Sequence, residues 1–417
     1  KLRPLSKKLG KKRLLEEQWM KLEDPNLTPS AKLLRCIENK GYVAAALFLA
    51  KRHKKALLEA PLSPSRQKQL EEVSADSLIE NRRLESASKI LTPEYEDLEL
   101  STQIVIKKAL ERGVSVEVLD REDQLLRLSR EGHVEYIKEA TKTSKDTYIT
   151  PYLLENKEVT KRLLFEKGLF VPLGKVYTSE KMAVENYSRF ENIKIVVKPK
   201  ATNMGVGITF VKPHEPSSFA AAVYAAFRHG SSVVVEPFCE GEEYRFLIID
   251  QELIAVAQRL PAHVIGDGKR TIRELVKAKN HDPDYYREPK CHLILSEVEK
   301  NCLKKQRLSP ASIPKKGKQV FLRENSNVST GGDAIDVTDD LHSGYGRIAI
   351  EAAQTFEAKI CGVDMMIVSA HEAPTPKNYA IVELNYNPVL FIHAHPFKGK
   401  ARDVAGPLLD LLGFTIP

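Results

Sequence analysis

Apolar side chains recur at helical spacing through the first part of the chain, up to about residue 90. In one run Leu33, Leu34 and Ile37 share a face, and Gly41 follows where that helix would end. The pattern predicts a mostly helical segment, which we assign to residues 1–92. This segment contains no cluster of side chains that is typical of a catalytic site.

Shorter elements are predicted for the next region, residues 93–152. The apolar pattern favours a helix over Glu99–Gly113, which ends at glycine, and a β-branched strand over Val114–Leu119. Two further runs, Leu125–Leu128 and His133–Ile137, flank a Glu-Gly pair and predict a β-hairpin. A helix, a strand and a hairpin of this size suit a small α/β domain.

The remaining residues, 153–417, alternate between short apolar strands and helices. Adjacent strands without an intervening helix favour antiparallel sheets, so the predicted fold class is α+β. The predicted helices cover Asn156–Gly168, Ser217–His229, Gly346–Cys361 and Pro407–Leu412, and the predicted strands cover Ile193–Val197, Ile208–Val211, Val233–Glu236, Tyr244–Ile249, Leu253–Gln258, Val363–Val368 and Tyr379–Leu384.

The composition is that of an ordinary globular protein, since 42% of the 417 residues are hydrophobic and 29% are charged. It argues against a collagen, a wholly disordered chain and a disulfide-rich miniprotein. No apolar run reaches the roughly 20 residues that span a bilayer, so we expect no membrane partner. Five cysteines without a C-x-x-C pair favour a reducing, cytoplasmic location. The sequence begins with Lys1 rather than Met, which favours a piece of a longer chain.

Basic residues are concentrated at the start of the chain. Residues 1–13 contain seven Lys or Arg and no acid, against a net charge of +8 for the whole sequence. Such an arm could contact nucleic acid, but no aromatic residues are interleaved and no nucleic-acid-binding motif occurs. A solvated segment is therefore favoured, and we expect no nucleic-acid partner.

Lys198 ends one predicted strand, and a turn that contains Gly205 and Gly207 leads into the next strand. Glycines allow the backbone to approach a phosphate with its N–H groups turned inward, and the lysine adds a positive charge. An ordinary glycine hairpin explains the same residues. This segment alone does not separate the two interpretations.

An acidic connector follows the predicted strand that ends at Glu236. It continues through Cys239 to Glu243, and it could offer backbone groups to an adenine edge and a carboxylate to ribose hydroxyls. A solvated acidic turn is the alternative. Taken alone, the segment favours that simpler interpretation.

Asp364, Glu383 and Asn385 supply oxygen atoms on two neighbouring predicted strands. Glu383 and Asn385 are two residues apart, so their side chains face the same way, and the loop 369–377 allows the strand of Asp364 to pair with theirs. Mg²⁺ prefers carboxylate and amide oxygens as ligands. An acid flanked by apolar residues is costly to bury without a partner, which favours a metal site over a structural role.

Two arginines are candidates for binding anions. Arg323 lies in a loop of small polar residues, 321–332, and Arg259 follows a predicted strand. A guanidinium binds a phosphoryl group or a carboxylate through two parallel hydrogen bonds. A plain surface loop is an equally good explanation for the first arginine.

His393 and His395 form a candidate metal pair, because their side chains would point the same way on an extended chain. The three oxygen ligands already account for a nearby ion. Packing of the loop that carries the two histidines is therefore favoured over zinc binding.

In this order, the segments resemble the ATP-grasp superfamily over about residues 150–417. The resemblance implies the ATP-grasp fold, in which two α+β lobes hold ATP between them. It is carried by the spacing of two lysines, two glutamates with a glycine between them and a C-terminal oxygen set: Lys157, Lys198, Glu236, Gly241, Glu243, Asp364, Glu383 and Asn385.

Within the superfamily the chain is similar to the bifunctional γ-glutamate–cysteine ligase/glutathione synthetases. Residues 1–92 resemble the tail of the γ-glutamylcysteine ligase module of that family. The main part of that module would lie upstream, so its activity is expected only of the longer, multifunctional enzyme. The stretches 241–245, 259–268 and 327–332 also look like cyanophycin synthetases, whereas 117–123, 140–146 and 392–397 look closest to the bifunctional family.

The resemblance implies a nucleotide site. Lys157 and Lys198 would grip the phosphates of ATP, and a mobile lid of about residues 158–235 would close over them. The loop of the lid would contain Asn203, Gly205 and Gly207, the connector from Glu236 to Cys239 would hold adenine, and Glu243 would hold the ribose.

The resemblance also implies a metal site and a site for an acidic substrate. Asp364, Glu383 and Asn385 would bind Mg²⁺, or Mn²⁺ in its place. The acidic substrate or the transferred phosphoryl group would face Arg245, Arg259 and Arg323.

The implied reaction joins γ-glutamylcysteine to glycine with ATP, through an acylphosphate, and yields glutathione, ADP and phosphate. A cyanophycin-type or D-Ala–D-Ala-type ligase is the alternative within the superfamily. The G-x-x-x-x-G-K-[ST] loop of cyanophycin synthetase does not occur in this sequence. A non-catalytic nucleotide-binding module is the alternative outside the superfamily, and homo-oligomerisation is left open.

Overall fold

The computed structural model describes residues 93–200, 207–282 and 291–416. The helices predicted within residues 1–92 lie outside the described residues, and so do Asn203 and Gly205. Within the described ranges, the structure contains no helix that is long and apolar enough to cross a membrane. The segment boundaries at residues 92 and 152 stay predictions.

A three-stranded antiparallel sheet follows the first helix of the described chain, in the order β1-β2-β3. Leu126 and Leu128 of the middle strand are fully buried, because alternate positions of this strand face the core. The predicted helix, strand and hairpin are confirmed. These elements are α1 (Leu100–Glu111), β1 (Ser115–Asp120), β2 (Leu125–Arg130) and β3 (His133–Lys138).

Two consecutive helices, α2 (Ile149–Glu155) and α3 (Lys157–Glu166), come next. Asn156 separates them and caps the second, because its side-chain oxygen accepts a hydrogen bond from the N–H of Val159 at 3.3 Å. The predicted helix in this stretch is confirmed, with Asn156 as its N-cap.

A four-stranded antiparallel sheet then forms in the order β4-β7-β5-β6. Its buried valines and isoleucine pack against a helix that carries Phe219. The elements are β4 (Lys175–Tyr177), α4 (Glu180–Glu185), β5 (Ile195–Pro199), β6 (Thr209–Val211), α5 (Pro216–Phe227) and β7 (Val233–Pro237).

The central sheet is five-stranded and antiparallel, in the order β12-β9-β8-β13-β14. Phe246 and Ile248 point to one face and pack with Tyr345 of a long helix, whereas Leu247 and Ile249 pack towards the N-terminal sheet. Both faces are therefore covered. The elements are β8 (Glu242–Ile249), β9 (Glu252–Leu260), β12 (Asp333–Asp336), α8 (Ser343–Gln354), β13 (Ile360–Ile367) and β14 (Tyr379–Asn385).

A smaller unit with its own apolar core lies in the chain between β9 and β12. The apolar pattern did not predict its elements, which are short and separated by polar turns. They are β10 (His263–Ile265), α6 (Ile272–Asn280), α7 (Glu297–Lys305) and β11 (Gln319–Phe321).

The helix predicted over Gly346–Cys361 is wrong at both ends. It begins at Ser343 and ends at Gln354, and Ile360 already starts β13. Glu357 adopts a positive φ of 52°, which breaks the helix between two apolar stretches that the sequence pattern joined. Short helices complete the described chain: α9 (Phe391–Ala394), α10 (Ala405–Leu411) and 3-10 turns at Pro93–Tyr95, Tyr187–Arg189 and Val328–Thr330.

Candidate functional site

The register of the central sheet brings four ionisable side chains together. Arg245 of β8 lies opposite Asp364 of β13, and Glu243 of β8 lies opposite Arg259 of β9. Residues directly opposite one another on antiparallel strands have their side chains on the same face. We call Arg245, Arg259, Asp364 and Glu243 the arginine cluster.

Asp364 is held by both arginines. Arg245 donates to each carboxylate oxygen, with Nη2 2.7 Å from Oδ2. Arg259 reaches the same oxygen with Nη1 at 3.4 Å and donates through Nη2 to Glu243 at 2.8 Å. The two-pronged contact of Arg245 fixes the plane of the Asp364 carboxylate, which one ammonium group could not do.

The two acids of the arginine cluster are shifted in opposite directions. Burial raises the pKa of Asp364, but the charges of Arg245 and Arg259 outweigh it, so its pKa lies below the ordinary value. Burial raises the pKa of Glu243, and the charge of Asp364 adds to this, against the opposing charge of Arg259. Asp364 is therefore the anion of the cluster, and Glu243 is the acid that gains a proton more readily.

Glu383 and Asn385 border this cluster on β14. Asp364 lies opposite Glu383, and the Nδ2 atom of Asn385 is 3.4 Å from Asp364 Oδ2. Lys157 of α3 pairs with Glu383, with Nζ 3.1 Å from Oε1. The predicted pairing of these two strands is confirmed.

The donor set Asp364, Glu383 and Asn385 fits a hard divalent cation by its chemistry. Two carboxylates and one amide oxygen are ligands of the kind that Mg²⁺ takes. A carboxylate has about four lone-pair sites, and Asp364 already accepts from Arg245 twice, from Arg259 and from Asn385. An ion bound to Asp364 would therefore replace one of the two contacts at 3.4 Å, from Arg259 or from Asn385. No group of three or more His, Cys, Asp or Glu side chains in the described ranges is suited to hold a metal. The predicted set Asp364, Glu383 and Asn385 does not belong to that class of groups, because its third member, Asn385, is an amide.

A second buried carboxylate lies in the four-stranded sheet. Glu236 near the end of β7 is 4% exposed and forms ion pairs with Lys198 of β5 and Lys161 of α3. Burial raises the pKa of Glu236, but the charges of Lys198 and Lys161 outweigh it, and the pKa is lowered. Burial lowers the pKa of Lys161, and the charge of Lys198 adds to this. We call Lys161, Lys198 and Glu236 the lysine cluster.

Lys161 is a candidate functional residue that the sequence analysis missed. It follows Lys157 by four residues, so the two side chains lie along one side of α3. The spacing of these two lysines is the sequence feature that could have identified Lys161. Ser326 was also missed as an individual residue, although it lies in the predicted 321–332 loop and donates a hydrogen bond to Glu243.

Cys239 is half-buried beside the lysine cluster. Burial raises the pKa of its thiol to about 11, and the charge of Glu236 adds to this effect. The thiol is therefore protonated near neutral pH and is a poor nucleophile. Gly207 has a positive φ of 75°, and an added Cβ would come within 2.8 Å of Pro199, so this turn suits glycine.

Arg323 pairs with an acid outside the arginine cluster. Its Nε atom is 2.5 Å from Oε1 of Glu299, an almost fully buried acid in the first turn of α7. Ser296 also donates to Glu299, in the capping box of that helix. The predicted contact of Arg323 with substrate stays a prediction.

His393 and His395 do not lie on an extended chain, as the metal-pair alternative assumed. His393 belongs to α9 and His395 follows it directly after Ala394. His393 is thus helical and His395, the C-cap of α9, is not, so the side-chain alternation of an extended chain does not apply to this pair. The ring of His395 lies 5.9 Å from that of Phe391, whereas His393 is 1% exposed.

The chain is similar to several known proteins. Residues 96–149 match the family model of an ATP-grasp-like domain. The glutathione biosynthesis bifunctional protein GshAB of Clostridium perfringens is 42% identical over 405 residues, which cover 96% of this chain and 48% of the relative. The GshAB protein of Listeria monocytogenes serotype 4b is 40% identical over 415 residues, 99% of this chain and 50% of the relative.

A solved structure shares the fold. The crystal structure of a bifunctional glutathione synthetase from Pasteurella multocida superposes with a TM-score of 0.61 at 39% identity, and covers 76% of this chain and 44% of that chain. The chain thus spans about half the length of the relatives that it matches. It has the ATP-grasp fold, and it is a homologue of the bifunctional glutathione biosynthesis proteins over that half.

Proposed function

We propose that the chain is an ATP-dependent ligase that joins γ-glutamylcysteine to glycine and releases glutathione, ADP and phosphate. The observation that carries the proposal is the pair of buried carboxylates, Glu236 and Asp364, each held by two cations. Homology to bifunctional glutathione biosynthesis proteins supports this choice among the reactions of ATP-grasp ligases.

The lysine cluster is the proposed site for the phosphates of ATP. Lys161 and Lys198 together carry one more positive charge than Glu236 neutralises. An ammonium on a flexible stem can leave a carboxylate for a phosphate oxygen, and a buried cation attracts that oxygen more strongly than an exposed one. Lys157, one helical turn before Lys161, extends the line of positive charge towards Glu383.

Asp364, Glu383 and Asn385 are the residues that would hold Mg²⁺, with Mn²⁺ as a substitute. When bound, the ion would supply positive charge beside the phosphates. Arg245 fixes the orientation of Asp364 through two hydrogen bonds, so this ligand is pre-oriented. Glu243, held by Arg259 and Ser326, remains the proposed ribose contact.

The arginine cluster is the proposed site for the acidic substrate. The cysteine carboxylate of γ-glutamylcysteine would attack the γ-phosphorus of ATP, and the bond from that phosphorus to ADP would break. The amine of glycine would then attack the acyl carbon, release phosphate and lose a proton. Positive charge from Arg245, Arg259 and the lysines offsets the repulsion between carboxylate and triphosphate.

We further propose that the longer protein contains a γ-glutamylcysteine ligase module upstream of this chain. This rests on the bifunctional names of relatives about twice as long as the chain. Cys239, Cys302 and Cys361 are free thiols, which supports the proposed cytoplasmic location.

Release of ADP by this chain, with Mg²⁺, ATP and γ-glutamylcysteine, tests the proposed reaction. We expect ADP only when glycine is also present, and in equal amount to the glutathione formed. Release with D-alanine alone would favour a D-Ala–D-Ala-type ligase and contradict the proposal, and no ADP with any amino acid would favour a non-catalytic module.

Two matched variants separate the site from the fold. Asp364→Asn should abolish turnover, whereas Asp250→Asn should leave it unchanged. Asp250 follows the opposite end of β8, where it is exposed and paired with Lys359 at 2.8 Å. Equal turnover in both variants would contradict the role assigned to Asp364.

A further inference from the structure

The short helix α9 lies on the same face of the central sheet as the arginine cluster. Phe391 and Ile392 pack against Ala257 of β9 and Ala334 of β12. Ala257 lies opposite Arg245, and Ala334 lies opposite Arg259, in the sheet register. These alanines therefore share a face with the two arginines, and α9 is positioned directly beside them.

His393 of α9 is buried without a hydrogen-bond partner among the described residues. The residue is 1% exposed, and within the described ranges neither Nδ1 nor Nε2 forms a hydrogen bond. The Nε atom of Arg259 is likewise buried and unpartnered. Polar atoms are seldom buried unpaired, because each one loses its bonds to water without replacement. A small polar ligand bound beside these atoms would supply the hydrogen bonds that they lack.

The chemistry of the three atoms restricts the ligand. Burial lowers the pKa of His393 to about 3, and the charge of Arg245 adds to this, while Asp336 and Asp364 oppose it. The ring is therefore neutral, with one N–H donor and one acceptor nitrogen. The Nε–H of Arg259 is a second donor, on a side chain that carries a positive charge. Two donors and a cation favour an anionic acceptor, and both proposed amino-acid substrates, γ-glutamylcysteine and glycine, carry a carboxylate.

We propose that Arg259 and His393 bind the carboxylate of the amino-acid acceptor, so that His393 is a specificity residue of the ligase. The inference rests on the proposed function and extends it by naming this subsite. The near-complete burial of His393 favours the smaller of the two amino-acid substrates, which is glycine. The bulkier γ-glutamylcysteine would face Arg245.

Steady-state kinetics with three variants test the subsite. His393→Leu removes both ring nitrogens at similar volume, and we expect the KM for glycine to rise about tenfold or more, as for the loss of a hydrogen bond to a charged group. The KM values for ATP and γ-glutamylcysteine should change less than about twofold. His393→Asn, which keeps a donor and an acceptor, should recover part of the loss, and His395→Leu is the matched control that should not change the KM for glycine. An unchanged KM for glycine in His393→Leu, or an equal rise in all three KM values, would overturn the proposal.

A measurement on the unaltered chain covers the case in which a variant fails to fold. With ¹⁵N-labelled histidine, glycine added to the complex with Mg²⁺, γ-glutamylcysteine and a non-hydrolysable ATP analogue should shift the ring signals of His393 and not those of His395. Unmoved His393 signals at saturating glycine would overturn the subsite, even in an active enzyme. Absence of ADP release from wild type would instead contradict the proposed reaction, so the two failures are distinguishable.

Discussion

The lysine cluster and the arginine cluster both stabilise a buried negative charge, but they do so in different ways. Each surrounds one buried carboxylate, Glu236 or Asp364, with two cations, and the pKa of each carboxylate is lowered. Lys161 and Lys198 are point charges on flexible stems, whereas Arg245 grips Asp364 with two parallel bonds. The lysine cluster is therefore suited to the proposed exchange of its carboxylate for a phosphate, and the arginine cluster keeps a carboxylate in one orientation.

The difference also follows the architecture. The arginine cluster lies within a five-stranded sheet whose neighbouring strands fix the distance between its members. The lysine cluster joins a strand pair to α3, so one of its cations comes from a separate element. This arrangement suits the proposed roles, because a phosphate site that opens and closes is better placed between elements and a rigid reaction centre is better placed on adjacent strands.

Removing an arginine should have the largest effect. Arg245→Met leaves Asp364 buried beside one arginine at longer range, and we expect a loss of about 3–5 kcal/mol in the free energy of unfolding, together with loss of turnover. Denaturant unfolding measures the first effect. The double variant Arg245→Met/Asp364→Asn should be less destabilised than Arg245→Met alone, because it removes the uncompensated charge. A double variant no more stable than the single would contradict this account of the pair.

Removing the carboxylate of the lysine cluster should lower the free energy of unfolding by less than removing Arg245 does. Glu236→Gln leaves two ammonium groups together, but a lysine can move towards water or release its proton, so we expect a loss of about 2 kcal/mol. Added ATP with Mg²⁺ should raise the thermal midpoint of this variant more than that of wild type, since phosphate replaces the missing anion. An equal rise in both proteins would contradict the proposal that the phosphates of ATP bind at the lysine cluster.

One carboxylate from each cluster, Glu236 and Glu243, should also contribute to stability with opposite dependence on pH. The pKa of Glu236 is lowered in the folded state, so its contribution to stability is present above the ordinary value of 4.5 and is lost as pH falls through the folded pKa. The pKa of Glu243 is raised, so its contribution declines as pH rises. Glu236→Gln should flatten the rise of stability with pH near and below 4.5, by up to about 1.4 kcal/mol per pH unit, and Glu243→Gln should steepen it. Slopes of unfolding free energy from pH titrations check the signs, and identical slopes in both variants would contradict them.

The smallest effect is expected outside both clusters. Arg323→Met should lower stability by about 1.5 kcal/mol through the loss of its contact with Glu299, and change kcat less than about twofold. Ser296 still holds Glu299 in this variant, which limits the loss. A large fall in kcat at unchanged stability would instead support the substrate contact predicted for Arg323 from the sequence.

The sequence predicted those parts of the site that depend on local periodicity. Alternation placed Glu383 and Asn385 on one side of a strand, and the loop before it allowed the pairing with Asp364 that the sheet contains. The strand ends at Lys198 and Glu236 were visible for the same reason. The ATP-grasp fold expected from the resemblance is confirmed.

Other parts depend on pairing between distant residues, which no single sequence pattern reveals. The bond between Arg245 and Asp364 spans 119 positions, and the bond between Lys161 and Glu236 spans 75. The end of α8 was missed because a turn at Glu357 separates two apolar stretches that look continuous. The partner of Arg323 was missed because Glu299 belongs to a capping box of a separate helix.

A crystal structure of the chain with Mg²⁺ and a non-hydrolysable ATP analogue tests the central claim most directly. We predict phosphate oxygens within hydrogen-bond distance of Lys161 and Lys198, Glu236 released from at least one of them, and the ion bound to Asp364 and Glu383 with the Arg245–Asp364 contact intact. A nucleotide bound elsewhere, with the lysine cluster unchanged, would contradict the proposal that the lysine cluster binds phosphate while the arginine cluster orients Asp364.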